Sequence, residues 1–121
     1  MKKLILTSFL LSGIALANQI SGVIEYQVKK APKGVLFIFA KKFNSKRPMP
    51  IAVKKIESPK FPLKFSLDKS NAMIPDSPFR GPFEVTARLS PSGSALDKTG
   101  YEVKTTRPIS VGTSDIKLIF K

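Results

Sequence analysis

The chain has 121 residues, with 21 Lys plus Arg against 8 Asp plus Glu, a net charge of +13, and no His, Cys or Trp. One domain is the ceiling at that length, since domains usually run to about 100–150 residues. The missing residue types exclude a disulfide framework, a Cys or His nucleophile or base, zinc and blue-copper ligand sets, and haem attachment through a Cys-rich motif. The expectation is a protein that works by binding and not by catalysis, with no cofactor.

Met1-Lys2-Lys3 gives a positive start, Leu4 to Leu16 an apolar run diluted by Thr7, Ser8, Ser12 and Gly13, and Ala15-Leu16-Ala17 a small-x-small cleavage site. That order predicts a secretory signal peptide over residues 1–17 and a periplasmic domain over residues 18–121. The alternative is a retained anchor, although the apolar run is shorter than the ~20 residues a spanning helix requires. Removing residues 1–17, with Lys2 and Lys3, leaves 104 residues and lowers the charge from +13 to +11. Inside a cell such a charge would point to phosphate backbones. For an exported chain the expected partners are proteins and an anionic membrane surface, with no nucleic acid; the alternative is a solvated surface that keeps a small domain soluble.

Alternation with period two dominates the rest of the chain. Ile20, Gly22, Ile24, Tyr26 and Val28 point one way while Ser21, Glu25, Gln27 and Lys29 point the other, the pattern of a strand with one face on a core. Val35 to Ala40 is apolar on both sides, as a central or doubly covered strand should be. Pro50 to Ile56 is a weaker candidate. Phe61, Leu63, Phe65 and Leu67 form the next strand, with Pro62 marking a sheet edge or a strand start because it has no N–H to donate. A turn is expected near Ser70 to Met73. Phe83, Val85, Ala87 and Leu89 alternate clearly; Tyr101 to Thr105 is weaker and Ile109 to Val111 weaker still. Ile116, Leu118 and Phe120 close the series. Most of the 10 prolines and 7 glycines fall between these runs. Short strands so punctuated predict an all-β antiparallel sandwich of about seven strands, immunoglobulin-like or cupredoxin-like.

The acidic residues are scattered and mostly fall on polar strand phases, so no paired-carboxylate site is expected. Met49 and Met73 lie beside proline-bearing turns. They read either as gap-filling core methionines or as thioether ligands for Cu(I). Basic residues cluster as Lys29-Lys30-Lys33, Lys41-Lys42-Lys46-Arg47 and Lys54-Lys55. Converged at one end of a sandwich they would attract anions; dispersed they would decorate the surface. Phe43 and Phe79 read as exposed binding anchors or as plugs of a sandwich end.

Several short motifs occur in a recognisable order. They are Gly22-Val23-Ile24, Val35 to Ala40, Arg47-Pro48-Met49-Pro50-Ile51-Ala52-Val53, Phe61-Pro62-Leu63-Lys64-Phe65-Ser66-Leu67-Asp68, Ala72-Met73-Ile74-Pro75, and Val85 to Ala95. The series resembles the C-terminal periplasmic domain of c-type cytochrome biogenesis proteins of the CycH/CcmI kind, where the matching stretches read approximately VFVFAR, PMPLAV, LPL…LDD, aMxP and ARxSxSGxA. The resemblance implies a β domain that helps present apocytochrome c to the haem-ligation machinery. Full-length members place membrane helices and helical repeats ahead of it, so this chain looks like the terminal domain alone behind its signal peptide. Their acidic Gly-Asp-Leu-like segment is replaced here by Leu96-Asp97-Lys98-Thr99-Gly100. Carried over are Pro48, Met49, Pro50, Ala52, Val53, Met73, Pro75, Ala87, Arg88, Ser90 and Gly93. Arg88 reads either as a surface or edge charge, or as a partner contact or buried pair.

The expected function is accessory binding in cytochrome c maturation, contacting apocytochrome or a membrane-bound assembly protein. The expected partner-binding residues are Lys41, Lys42, Lys46, Arg47, Met49, Met73 and Arg88. An open sheet edge accepting an extended peptide, with basic loops steering acidic partners, is the expected mechanism. The alternative is a copper- or haem-handling carrier, with Met49 and Met73 on Cu(I) or lysines on haem propionates.

Overall fold

The computed structural model describes residues 18–46, 49–74 and 78–121. The expected signal peptide lies outside these residues, as do Arg47, Pro48 and Pro75. Seven strands are present among the described residues: β1 (Gln19–Tyr26), β2 (Val35–Lys42), β3 (Ala52–Ile56), β4 (Leu63–Asp68), β5 (Phe83–Ser90), β6 (Glu102–Lys104) and β7 (Ile116–Phe120). They form a three-stranded sheet in the order β4-β1-β7 and a four-stranded sheet in the order β3-β2-β5-β6.

The alternating residues meet where the two sheets face each other. Ile20 and Ile24 of β1, Phe65 and Leu67 of β4, and Ile116, Leu118 and Phe120 of β7 oppose Leu36, Ile38 and Ala40 of β2 and Val85, Ala87 and Leu89 of β5, all buried in one cluster. Each large side chain among them contributes roughly 1.5–3 kcal/mol through the apolar area it removes from water. Phe79, half-buried, closes one end of the core with its ring 4.7 Å from that of Phe83, which answers the choice between anchor and plug at that position. Phe61 precedes β4 and packs edge-on against Tyr26 and Phe120 at 5.8 and 5.9 Å.

Three expectations need correction or refinement. The sandwich is not wholly antiparallel: β1 and β7 run parallel, with Ile24 opposite Leu118. Period-two alternation cannot reveal this, because it is identical for parallel and antiparallel neighbours. Ile109 to Val111 forms no strand; Ile109 makes a single bridge to Phe83 instead. Strand β2 is apolar on both sides, as expected, but its outer residues Phe37 and Phe39 are covered by side chains rather than by another layer. Their rings stack at 6.1 Å, and the Arg88 guanidinium lies 5.0 Å from the centre of the Phe39 ring.

Close approach requires glycine at positions 22 and 100, among others. A Cβ on Gly22 would collide with the Ile116 backbone, so the β1–β7 pairing depends on its absence. A Cβ on Gly100 would collide with the Leu89 carbonyl at the root of the β5–β6 hairpin.

Candidate functional site

Chain geometry at the end of β2 builds an open cleft. After Lys42 the backbone reverses through Asn44, which takes the left-handed conformation (φ 58°), and Ser45 N–H donates to the Lys42 carbonyl. Asparagine tolerates that conformation better than most residues. Downstream, Ile51 N–H donates to the Ala40 carbonyl at 2.7 Å, seating the segment 49–51 beside the end of β2.

A second segment is brought alongside by a local cap. The Asp68 carboxylate accepts from the backbone N–H and hydroxyl of Ser70, and Asp68 N–H donates back to the Asn71 side chain, closing a short 3-10 turn over Lys69–Asn71. This reciprocal arrangement satisfies N–H groups that the turn would otherwise leave unpaired. The Ser70 hydroxyl and then its backbone N–H hold the Asp68 carboxyl below its ordinary pKa. The turn delivers Ala72 opposite Ala52 and lets Met73 N–H donate to the Ile51 carbonyl at 2.9 Å.

The result is a cleft of about 460 Å³ lined by Lys42, Met49, Pro50, Ile51, Met73 and Ile74. Met49, Met73 and Ile74 are 59, 44 and 56% exposed. The core reading of the two methionines is therefore corrected. A residue next to a proline turn has no strand phase to assign it inward, and both end at the mouth of the cleft. Flexible thioether chains on an open surface suit adaptable apolar contact, and Lys42 adds one positive charge beside them.

Of the residues expected to bind a partner, the structure brings Lys42, Met49 and Met73 to this one cleft. Lys46 is exposed on the turn leading into it, and Arg47 lies outside the described residues. Lys41 sits opposite Glu84 on the outer phase of β2. Arg88 stands apart: its Nε donates to Glu102, its Nη1 donates to the Ala95 carbonyl at 2.7 Å, and its side chain is only 16% exposed. It ties the loop over residues 91–100 down to the sheet. Glu102 and Ala95 were not singled out in the sequence; the β5–β6 register, which pairs Arg88 with Glu102, would have found the first of them.

The three basic clusters do not converge. Lys29, Lys30 and Lys33 precede β2 while Lys41, Lys42 and Lys46 follow or end it, so the two groups lie at opposite ends of that strand. Lys54 shares the inward phase of β3 and reaches across the sandwich to donate to the Ser66 carbonyl at 3.3 Å, and Lys55 pairs with Glu57.

No cluster of three or more acidic groups able to hold a metal occurs among the described residues, and no helix there is long and apolar enough to cross a membrane. Chemically the cleft is a place to grip an apolar side chain next to a negative or carbonyl group. Residues 14–120 match the family model of the cytochrome c-type biogenesis protein H Ig-like domain. The chain belongs to that family. By its description the family is an Ig-like domain of a cytochrome c-type biogenesis protein. An uncharacterized protein of Aquifex aeolicus (strain VF5) is 25% identical over 91 residues, which is 75% of this chain; the match spans 60% of that relative's length. Among solved structures, an alternative pilotin from the type II secretion system of Vibrio cholerae superposes with a TM-score of 0.52 at 16% identity, covering 84% of this chain and 93% of the pilotin. At that identity the likeness shows the shared fold alone.

Proposed function

We propose that this domain is a periplasmic, non-catalytic binding module in cytochrome c maturation. Its partner is an apocytochrome segment or a membrane-bound haem-ligation component, held at the cleft of Lys42, Met49, Ile51, Met73 and Ile74. Residues 1–17 serve as the export signal and residues 18–121 as the mature domain, equivalent to the C-terminal domain of the CycH/CcmI kind. The observation that carries the site is the exposure of three large apolar side chains on one concave surface of a strongly basic, Ig-like member of a biogenesis family. Exposed apolar groups in a cleft gain most when a partner buries them, and Lys42 favours a partner with a neighbouring acidic group.

A photo-crosslinking residue in place of Ile74 in cells making cytochromes c tests this. Adducts with apocytochrome or a haem-ligation component, reduced at least severalfold by Met49→Glu with Met73→Glu, are expected. Adducts confined to unrelated exported proteins overturn the reading. A second reading rests on the same two methionines, since both thioethers line one cleft: a Cu(I) carrier, or a haem carrier using Lys42 on a propionate. Titration of Cu(I) and of haem into the purified chain separates the two, because a protein-binding cleft shows no saturable micromolar uptake of either.

A further inference from the structure

On the opposite side of the sandwich from β3, the chain makes a second surface of different chemistry. Strand β6 pairs with β5 through Thr86 opposite Lys104, and Thr105 continues that pairing by donating to the Val85 carbonyl. The next contact with β5 is at Phe83, which exchanges two backbone hydrogen bonds with Ile109. Glu84 alone therefore faces the three residues Thr106, Arg107 and Pro108, which must bulge out of the ladder. The bulge lies over the start of β7 and leaves a cavity of about 170 Å³, lined by Lys104, Thr106, Arg107 and Lys117 together with Ile109 and Ile116. Both isoleucines are 2% exposed, so the cavity joins an apolar floor to a cationic rim. Among the described residues, the acidic contact of these cations is Glu25, 3.8 Å from the Lys117 ammonium.

The same place carries a strand edge that has no ladder partner among the described residues, although β6 lies nearby. Gln27 N–H donates to the Phe120 carbonyl, so Phe120, and by alternation Leu118 and Ile116, turn their backbone groups toward β1, while Lys117 and Ile119 turn theirs away. Among the described residues β7 pairs with β1 alone. From these observations we propose that the β6–β7 seam binds an extended acidic peptide by strand addition to β7. The backbone of Lys117 and Ile119 would supply the ladder, Lys104, Arg107 and Lys117 would engage carboxylates, and an alternate apolar side chain would enter above Ile109 and Ile116. Charge complementarity selects this occupant, because a cationic rim repels a second copy of this basic chain and leaves a neutral strand without its charged contacts. The proposal supplies a peptide contact for the binding role above, but its test does not involve the cytochrome machinery.

The test titrates a short peptide of alternating Glu and Val into the ¹⁵N-labelled full chain. Expected are saturable shifts centred on residues 104–119, slowed exchange of the Lys117 and Ile119 amides, and roughly tenfold weaker binding by Lys104→Glu with Arg107→Glu. A peptide N-methylated at alternate amides should also lose roughly tenfold, since it cannot complete a ladder; this control needs no protein variant. Equal binding of the N-methylated peptide, shifts spread over every lysine, or no binding at all would overturn the proposal, the last meaning that Lys117 only guards the edge against association. Failure here leaves the Ile74 crosslinking result standing, and the converse also holds.

Discussion

At the β3 side of the sandwich the chain itself pairs with the start of the four-stranded sheet's edge, at Ile51 and Ala52. Ala72 bridges Ala52, Met73 N–H donates to the Ile51 carbonyl, and Lys54 crosses to the facing sheet to bond Ser66 on the edge strand β4. At the β6–β7 side nothing among the described residues pairs with the outer edge of β7, and cationic side chains rim an apolar floor. Edge strands are hazards that proteins cover, shorten or charge, and this domain uses covering on one side and charge on the other. The difference teaches where each kind of partner fits. Where the first edge is covered its hydrogen bonds are spent and it offers apolar side chains with Lys42 beside them, whereas the outer edge of β7 still has its hydrogen bonds to give.

The most severe way to break the comparison is Gly22→Ala. The added methyl would have to displace the Ile116 backbone, and with it the parallel pairing that creates the β7 edge. A loss of about 3 kcal/mol or more in urea unfolding is expected, within the range of strained or overpacked core changes. A neutral result would mean that β1 and β7 lie farther apart than described.

Arg88→Ala should cost about 2 kcal/mol, because it removes two hydrogen bonds and the ring contact with Phe39 while leaving the Ala95 carbonyl unpaired. A double-mutant cycle with Glu102→Ala should show a coupling of about 1 kcal/mol. Neither change should alter crosslinking from Ile74, which lies at the other site.

Hydrogen exchange sharpens the contrast without perturbing stability. The Met73 amide should be protected because it is bonded across the covered edge to the Ile51 carbonyl, and those of Lys117 and Ile119 should exchange at least tenfold faster than those of Leu118 and Phe120. Equal protection along β7 would show that its edge is covered after all.

Much of this architecture was legible in the sequence, because burial on one sheet face imposes period two on β1, β4, β5 and β7, and burial on both faces removes it from β2. Strands β3 and β6 read weakly because five and three residues give few alternations to recognise. The parallel direction of β7, the bulge at Thr106 to Pro108, and the exposure of Met49 and Met73 were not legible. Each depends on which distant segment lies alongside, and a residue's own neighbours carry no record of that. The resemblance on the motifs from Gly22 to Ala95 located the family, and it singled out Met49, Met73 and Arg88 together. Only the fold separates the two methionines at an open cleft from an arginine committed to Glu102, Ala95 and Phe39.

The smallest expected effect concerns the loop that Arg88 holds down. Its own clamp is Asp97, which accepts from the Ser92 N–H at 3.1 Å and from the Thr99 N–H and hydroxyl at 2.9 and 2.6 Å. Hydrogen bonds from Ser92 first and Thr99 next hold the Asp97 carboxyl well below its ordinary value of 3.8. A carboxylate depressed in the folded state favours folding above its unfolded pKa, and that contribution fades as pH falls toward the folded value. Stability should therefore be level above about pH 5 and decline progressively below about pH 4, with the loop over residues 91–100 loosening first. Asp97→Asn should weaken that decline without abolishing it, because Asp68 is depressed by Ser70 with the same sign. Urea midpoints of both proteins at neutral pH and in acid measure the difference, and an unchanged acid slope in the variant would show that the loop clamp does not depend on the charge of Asp97.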